Sequence, residues 1–459
     1  ALAYAGRMKK RLIVLTLFCL MLGVCFLPAG QPAHAEETAS PKLSFGDDGT
    51  FTVLVLADLQ DTQFTTELVV SGETHVIAEY PADLIVLLGD QLEGWSPVLR
   101  LGNDAANVEK TLRTLLAPVE ASGIPFAVIF GNHDYEAPLA IARQVEIYES
   151  YANCVGVSYG RNGGDDGAFV LPVYMTNSDM PAMALYFFDS GSYIANGDYD
   201  TVSAEQVAWY IQQSAAFRAA NSGQALPSVA FCHIPVPEVY ELMIEVPKGT
   251  ADAFKGVGIG EGKYYLPDES KIFTGEVNEA PCPSSVNHGL FDAFLANDDV
   301  FLAINGHDHI NSFIGSVKGV DIANAPGSSY TSYGQQGIRG ARLFRFTEFN
   351  VRDYETLHAP YSNYDTPASY GYLKYFFSTS TGIYNALKIP LLVLLLIVAL
   401  VATLVVRARK KTQSKDGSKI TQTKNPPYGG FLFACISALL RVVQFRLGGC
   451  GGLSSGSDS

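Results

Sequence analysis

The residues of this chain that can do chemistry fall into short polar clusters of aspartate, asparagine, glutamine and histidine. Half of its eight histidines lie in these clusters. Oxygen and imidazole donors without thiolate suit Mn, Fe or Zn. Eight such donors exceed what one four-coordinate ion needs, so the pattern predicts two ions that activate a water molecule and clamp a phosphoryl group. The candidates are Asp58, Gln60, Asp90, Asn132, His133, His233, His307 and His309.

Each cluster directly follows a short apolar run. The runs cover residues 52–57, 84–88, 126–130, 228–231 and 300–304. Continuous apolar, β-branched-rich runs are typical of strands buried on both faces. Helical patterns at 103–121 and 203–221 separate some of them, and the second opens with a capping box formed by Ser203 and Gln206. Strands alternating with helices predict an α/β fold, in which ligands bind beyond the carboxyl ends of the strands.

Composition and charge exclude several classes of protein. The 459 residues are 48% hydrophobic and 11% aromatic, which argues against disorder. Residues 36–382 contain 44 acidic and 17 basic side chains, a net charge of −27. A phosphate backbone would be repelled by this charge, so no nucleic-acid partner is expected. Three cysteines in this stretch, without a C-x-x-C pattern, suggest neither a disulfide scaffold nor a zinc finger.

The two ends of the chain indicate export and anchoring. Basic residues 9–11, an apolar run at 12–27 and Ala33-His34-Ala35 predict a signal peptide within residues 1–35, with an uncleaved anchor as the alternative. A run at 389–406 lacks charged residues and is followed by four basic residues within 407–411. This predicts one transmembrane helix at 383–407, with the basic side in the cytoplasm. The boundaries that follow are a domain at 36–360, a juxtamembrane linker at 361–382 and a basic cytoplasmic tail at 408–459.

The same topology fits a bacterial plasma membrane and a eukaryotic secretory membrane. We favour a bacterial cell membrane, with the domain at 36–360 outside the cell. The oligomeric state is left open by the sequence.

The order of the motifs resembles that of the calcineurin-like metallophosphoesterases. The chain has D-x-Q at Asp58, G-D at Asp90, G-N-H-D from residue 131, a histidine at 233 and G-H-x-H ending at His309. Further stretches resemble a narrower group, the divergent purple acid phosphatase-like enzymes of fungi and plants. They are residues 233–238, 287–291, 306–311, 332–334 and 339–342. The resemblance implies a four-layer α/β/β/α sandwich for the domain at 36–360.

The resemblance also implies a role for each motif residue. In the family pattern, a hydroxide that bridges two metal ions attacks phosphorus, and His133 acts on the leaving-group oxygen as a proton donor or stabilises its charge. Asp134 is grouped with His133 as catalytic, and we expect it to orient the loop or His133. The first metal would be bound by Asp58, Gln60 and His309, the second by Asn132, His233 and His307, and both by Asp90.

Two residues depart from the family pattern. Gln60 stands where most members have histidine, which leaves the identity and affinity of the metal open. Glu93 stands where true purple acid phosphatases have the tyrosine that binds Fe(III), so no purple charge-transfer band is expected. His288, Asn311 and Arg339 are weaker candidates for contacts to the substrate.

The expected function is a membrane-anchored, extracytoplasmic phosphoesterase that acts on a small phosphorylated substrate, with a phosphomonoesterase favoured. A phosphodiesterase or nucleotide pyrophosphatase is the alternative within the same class. From another class, a surface binding protein that kept the fold and lost the chemistry would fit the same motifs.

Overall fold

The computed structural model describes residues 41–65, 67–364, 393–394 and 396–405. The chain divides into two compact units, Ala1–Ser40 and Pro41–Ser459, and all described residues belong to the second. The predicted signal peptide at 1–35, the tail at 408–459 and nearly all of the linker at 361–382 therefore lie outside the described residues.

Sixteen strands lie within residues 41–364. They are β1 Thr50–Leu56, β2 Leu84–Leu88, β3 Phe126–Ile129, β4 Cys154–Val157, β5 Phe169–Tyr174, β6 Pro181–Phe188, β7 Ser228–Cys232, β8 Met243–Val246, β9 Phe254–Lys255, β10 Tyr264–Pro267, β11 Ile272–Thr274, β12 Val300–Asn305, β13 Ile314–Val317, β14 Val320–Asn324, β15 Gly340–Thr347 and β16 Glu355–Pro360.

Helices connect many of these strands. The α-helices up to residue 364 are α1 Glu67–Glu79, α2 Asp104–Ser122, α3 Asn132–Glu136, α4 Ile141–Glu149, α5 Ala204–Ala220 and α6 Leu290–Asn297. Short 3₁₀ turns lie at Pro97–Arg100, Pro237–Leu242, Gly258–Gly260 and Tyr361–Asn363.

The strands form two large mixed sheets and one small one. The first sheet has the order β16-β15-β1-β2-β3-β4, in which β1 to β4 run parallel to one another and β15 is antiparallel to β1. The second has the order β11-β13-β14-β12-β7-β6-β5, in which β14, β12, β7 and β6 run parallel. Strands β8, β10 and β9 form the small antiparallel sheet. The mixed α/β fold predicted from the sequence is confirmed.

Three apolar clusters define the layers of the domain. One buries residues of both large sheets together, such as Val53 of β1 and Phe231 of β7. The second packs the other face of the first sheet, including Leu54, against α1, α2 and α4. The third packs the other face of the second sheet against α5 and α6. The layer order is therefore helix, sheet, sheet, helix, and strands buried on both faces explain the continuous apolar runs.

The two predicted helices begin where the sequence indicates, but one cap differs in detail. Asn103 caps α2 by accepting a hydrogen bond from the amide of Ala106. Ser203 caps α5 by accepting from the amide of Gln206 at 3.2 Å. The Gln206 side chain does not complete the predicted capping box, because it bonds to the backbone amide and carbonyl of Asp189 instead. It thereby ties α5 to the end of β6.

Among the described residues, we find no helix with the length and apolar character that crossing a membrane requires. Residues 393–394 and 396–405 are helical. The rest of the predicted transmembrane helix at 383–407 lies outside the described residues.

Helix α1 carries a fully buried carboxyl group. Neither oxygen of Glu73 has a hydrogen-bond partner. Burial, with a smaller contribution from the charge of Asp61, raises the pKa of Glu73 well above its usual value. Glu73 therefore keeps its proton to a higher pH in the folded chain than in the unfolded chain. The folded state loses stability as pH rises above the ordinary glutamate pKa of 4.5.

Replacing Glu73 by glutamine is expected to raise the unfolding temperature by about 2–4 °C at pH 8 and by much less at pH 5. Glutamine has a similar shape and does not ionise, so it removes this pH dependence. Thermal unfolding at both pH values measures the effect, with Glu269→Gln as an exposed control. An equal shift at both pH values would contradict the explanation.

Candidate metal centre

The loops that follow five parallel strands meet at one edge of the two sheets. Asp58 and Gln60 follow β1, and Asp90 follows β2. Asn132 and His133 begin α3 after β3, while His233 follows β7. His307 and His309 come after β12. Because the carboxyl ends of parallel strands share an edge, these side chains lie close together.

Asp90 lies at the centre of this group. Its Oδ2 is 3.3 Å from Nε2 of His233 and 3.9 Å from Nε2 of His133. Asp90, His233 and His307 are buried and present ligand atoms within 4.8 Å of one another, so they could hold a metal ion.

Asp58 joins this group to His309. Its Oδ1 is 3.2 Å from Nε2 of His309 and 3.9 Å from Nε2 of His233. Its Oδ2 accepts a hydrogen bond from the backbone amide of His307 at 2.9 Å. The candidate ligands thus form one continuous cluster around the two carboxylates.

Four buried atoms of the cluster that could bind a metal lack any hydrogen bond. They are Oδ1 of Asp58, Oδ1 of Asn132, Nε2 of His233 and Nε2 of His307. A buried polar atom without a partner is costly, so native structures rarely keep one. A lone pair on an amide oxygen or an imidazole nitrogen is a suitable metal donor. The residues present therefore fit a bound transition-metal ion.

Backbone carbonyls orient two of the imidazoles. Nδ1 of His233 is 2.9 Å from the carbonyl of Leu88, and Nδ1 of His309 is 3.0 Å from that of Tyr333. A carbonyl can only accept, so each Nδ1 carries a proton, and the neutral form of each ring presents its lone pair at Nε2. The Tyr333 ring also stacks on His309, with centroids 4.1 Å apart.

The cluster attracts positive charge. Burial would raise the pKa of Asp90, but the imidazoles of His233 and His133 hold it below its usual value. Burial would lower the pKa of His233, but the carboxylates of Asp90 and Asp58 raise it to about 10. Burial and the charge of His233 lower the pKa of His307 well below its usual value. These shifts favour a neutral His307 and an ionised Asp90, as metal binding requires, whereas His233 would have to release a proton on binding a metal.

Four of the candidate ligands have a strained backbone. Asp58, Asp90 and His307 have φ angles of 53°, 55° and 71°, in the left-handed region that side chains other than glycine rarely adopt. Gln60 also has a positive φ, 36°. Strained backbone of this kind is typical of functional sites. Gly89 has φ 88°, and a Cβ atom there would lie 2.5 Å from Nδ1 of His233, so this position requires glycine.

Asp134 acts on the loops and not on the cluster itself. Its carboxylate accepts hydrogen bonds from the backbone amides of Asp90, Gly131 and Leu92 at 2.8, 2.9 and 3.0 Å. These bonds hold the loop after β2 against the loop after β3. The geometry makes Asp134 a positioning residue, and a catalytic role for it stays a prediction.

His133 lies at the accessible side of the cluster, with 22% of its side chain exposed. Its backbone amide donates to Oδ1 of Asp90 at 2.7 Å, and its Nδ1 is 2.6 Å from Oε2 of Glu136. Burial would lower the pKa of His133, but the carboxylates of Asp90 and Glu136 raise it above its usual value. A protonated imidazole at this position can donate a proton to a bound group.

The amide of Gln60 lies between Asp90 and His309. Its Nε2 is 2.9 Å from Oδ2 of Asp90 and 3.1 Å from Nε2 of His309. Amide nitrogen and oxygen are interchanged by a rotation of the side chain, so this position can also present the oxygen as a ligand. Glu93, the second departure from the family pattern, is buried on the neighbouring loop.

The three candidates for substrate contacts are placed differently. Asn311 is buried and bonds to the backbone amides of Asn278 and Glu279 and to the carbonyl of Glu279. Arg339 donates to the carbonyl of Ser329 and lies over the ring of Tyr330 at 4.5 Å. His288 is exposed. Their substrate contacts stay predictions, and the bonds of Asn311 give it a structural role.

Several aromatic and acidic neighbours of the cluster were missed from the sequence. Tyr193 accepts a hydrogen bond from Nδ2 of Asn132 at 3.0 Å, and Tyr199 packs edge-on against His307. Trp95 packs beside His133. A tryptophan just after the Gly89-Asp90 motif and a glutamate three residues after His133 were available signals, whereas the two tyrosines had none.

The two packed sheets form a mixed α/β fold consistent with a metallophosphoesterase, and the buried Asp–His cluster at their strand ends could hold a metal ion. The sequence profile of the calcineurin-like phosphoesterases matches residues 51–311. The chain therefore belongs to the calcineurin-like phosphoesterase family, as the motif order predicts.

Relatives within the family carry contrasting names. The chain is 26% identical over 370 residues to "Probable inactive purple acid phosphatase 29" of Arabidopsis thaliana, covering 72% of this chain and 85% of the relative. It is 24% identical over 390 residues to "Probable inactive purple acid phosphatase 14" of the same plant, covering 76% and 86%. It is 26% identical over 328 residues to "Phosphatase DCR2" of Saccharomyces cerevisiae, covering 60% and 47%.

Proposed function

We propose that this chain is a metal-dependent phosphoesterase with two transition-metal ions, Mn, Fe or Zn, and that phosphomonoesters are its substrates. The observation that carries the proposal is the buried group of Asp90, His233 and His307, together with the unpartnered oxygen of Asn132, which follows β3. Two ions at such a site would supply an activated water molecule and neutralise phosphate charge.

The residues of the chain would divide the work as follows. Asp90 would bind both ions, with Asp58, Gln60 and His309 on one side and Asn132, His233 and His307 on the other. His133 would hold a proton at Nε2 and transfer it to the departing oxygen, since its Nδ1 is engaged by Glu136. Asp134 would keep the loops of Asp90 and Asn132 in register through its three amide bonds.

A monoesterase is favoured by the narrower resemblance to purple acid phosphatase-like proteins and by the relative named a phosphatase. A phosphodiesterase or nucleotide pyrophosphatase would use the same group of ligands. The two enzyme classes are distinguished by the ratio of hydrolysis rates on phosphate monoesters and phosphate diesters.

A binding protein without activity is the second candidate, and the names of the two plant relatives favour it. Against it, the chain keeps Asp90, Asn132 and His133, and these side chains are arranged around one buried cluster. A protein under no demand for metal binding would have little reason to keep an unpartnered buried Asn132 oxygen.

The test of the proposal is metal-restored hydrolysis. The full-length chain, purified with detergent present, is stripped with a chelator and reloaded separately with Mn, Fe or Zn. Hydrolysis of p-nitrophenyl phosphate and of bis-p-nitrophenyl phosphate is then measured together with the metal content. Turnover that needs the metal and favours the monoester supports the proposal. Two bound metals per chain without turnover on any phosphate ester would favour the binding protein.

We also propose that the chain is anchored in a cell membrane by one helix at 383–407, with the active site outside. The proposal is supported by the uncharged run at 389–406 and the basic residues after it. Membrane fractionation tests the anchor, and protease added to intact cells tests the orientation. Recovery of the full-length chain in the soluble fraction would contradict the proposal.

A further inference from the structure

An exposed tryptophan stands beside His133. Trp95 is one of two tryptophans in the chain, and 37% of it is exposed. Its ring lies edge-on to the His133 ring, with centroids 6.5 Å apart. Tryptophan is usually largely buried, and it is enriched where proteins bind partners or ligands. An indole left accessible next to a reactive imidazole is therefore a candidate for substrate contact.

The turn that carries Trp95 is fixed in place. The guanidinium of Arg100 donates to the carbonyls of Gly94 and Ser96, on either side of Trp95, at 2.9 and 3.0 Å. It also donates to the carbonyl of Glu136 at 2.7 Å. A Cβ atom on Gly94 would come within 1.7 Å of the His133 carbonyl oxygen, so only glycine allows this approach. Trp95 is thus held in a fixed position relative to α3.

A second aromatic surface borders the cluster at Asn132 and His307. The ring of Tyr193, 39% exposed, carries the hydroxyl that accepts from Asn132. It stacks on Tyr199 with centroids 5.5 Å apart, and Tyr199 packs edge-on against His307 at 4.4 Å. Aromatic side chains therefore contact the candidate metal ligands as well as His133.

The charged groups near His133 do not favour a leaving group that carries a further anionic substituent. Glu136 lies within 2.6 Å of the imidazole. Arg100 is the basic side chain that, among the described residues, hydrogen-bonds to both the Trp95 turn and α3. Its guanidinium donates to three backbone carbonyls, so these bonds do not go to a substrate. Recognition beyond the phosphate itself would then depend on aromatic contact.

We propose that Trp95 is a specificity-determining residue that selects substrates with a planar aromatic ring in the leaving group. The inference rests on the proposed function, in which the leaving group departs towards His133. A ring on that side meets the exposed indole, and aromatic contact of this kind changes an equilibrium by about tenfold.

The test compares Trp95→Ala and Trp95→Phe with the unchanged chain in its metal-loaded, full-length form. Values of kcat/KM are measured for phenyl phosphate, a nucleoside 5′-monophosphate and glycerol phosphate. Trp95→Ala is expected to lower kcat/KM about tenfold for at least one ring-bearing substrate and less than twofold for glycerol phosphate. Trp95→Phe keeps a ring and should recover most of the loss. Comparing the two ring-bearing substrates shows whether the ring is attached directly to the phosphate oxygen or through a sugar.

Binding separates this inference from the proposed function. Calorimetry with phenylphosphonate and methylphosphonate needs no turnover, and Trp95→Ala should weaken only the first, by about tenfold. Phe349→Ala, an exposed aromatic residue after β15, serves as the matched control and should change neither. Equal losses for ring-bearing and aliphatic compounds, or no loss, would overturn the role of Trp95. Absence of hydrolysis with selective phenylphosphonate binding would overturn the proposed function alone.

Discussion

Replacing Asp90 by asparagine is expected to lower kcat/KM about a thousandfold or more and to reduce the bound metal. Asp90 contacts both proposed groups of metal ligands. Its Oδ2 is 3.3 Å from Nε2 of His233, in one group, and 2.9 Å from Nε2 of Gln60, in the other. Asparagine keeps the shape and can still accept from the His133 amide, so the loop is preserved. What is lost is the negative charge that draws a cation into the site.

Metal content, kcat/KM and the unfolding temperature are measured on the same preparation. Asp299→Asn is a matched control, because Asp299 is also buried but precedes β12 and bonds to Tyr210 and Val300, away from the strand ends that carry the cluster. This control should keep the metal and the activity. Full metal content and turnover in Asp90→Asn would contradict the proposal that Asp90 binds the metal ions.

The second large effect is expected for His133→Gln. Loss of a positioned proton donor lowers the rate by about 10² to 10⁴-fold. The loss should be largest for alkyl leaving groups, which need a proton, and small for p-nitrophenolate, which does not. Metal content should stay unchanged, because Nε2 of His133 is 3.9 Å from Asp90 and Nδ1 is engaged by Glu136.

The measurement is kcat/KM for a series of phosphate esters of rising leaving-group pKa. Glu136→Gln is the partner variant, and it should lower the rate less than His133→Gln while leaving the metal in place. A loss of metal in His133→Gln would make His133 a ligand. An equal loss along the whole series would show that it stabilises charge without transferring a proton.

The sequence by itself determined the fold class and the group of candidate ligands. Five strands, namely β1, β2, β3, β7 and β12, are marked by a continuous apolar run, and a polar cluster follows each of them within a few residues. Because the parallel strands of one sheet bring their carboxyl ends to one edge, Asp58, Asp90 and Asn132 can be placed together without any coordinates, whereas the packing of the two sheets brings His309 to Asp58. The same local reasoning placed the start of α2 at Asn103 and the cap of α5 at Ser203.

Only the tertiary structure decided what surrounds those ligands. Tyr193 reaches Asn132 across 61 positions of sequence, and Arg100 fixes the Trp95 turn against Glu136. The bonds of Asn311 to Asn278 and Glu279, and the diversion of Gln206 from its cap to Asp189, likewise join separate segments. A sequence pattern shows the periodicity within one segment and carries no direct information on which other segments it contacts. Contacts between segments depend on how layers pack, and this is why the candidate ligands could be grouped from the sequence and their neighbours could not.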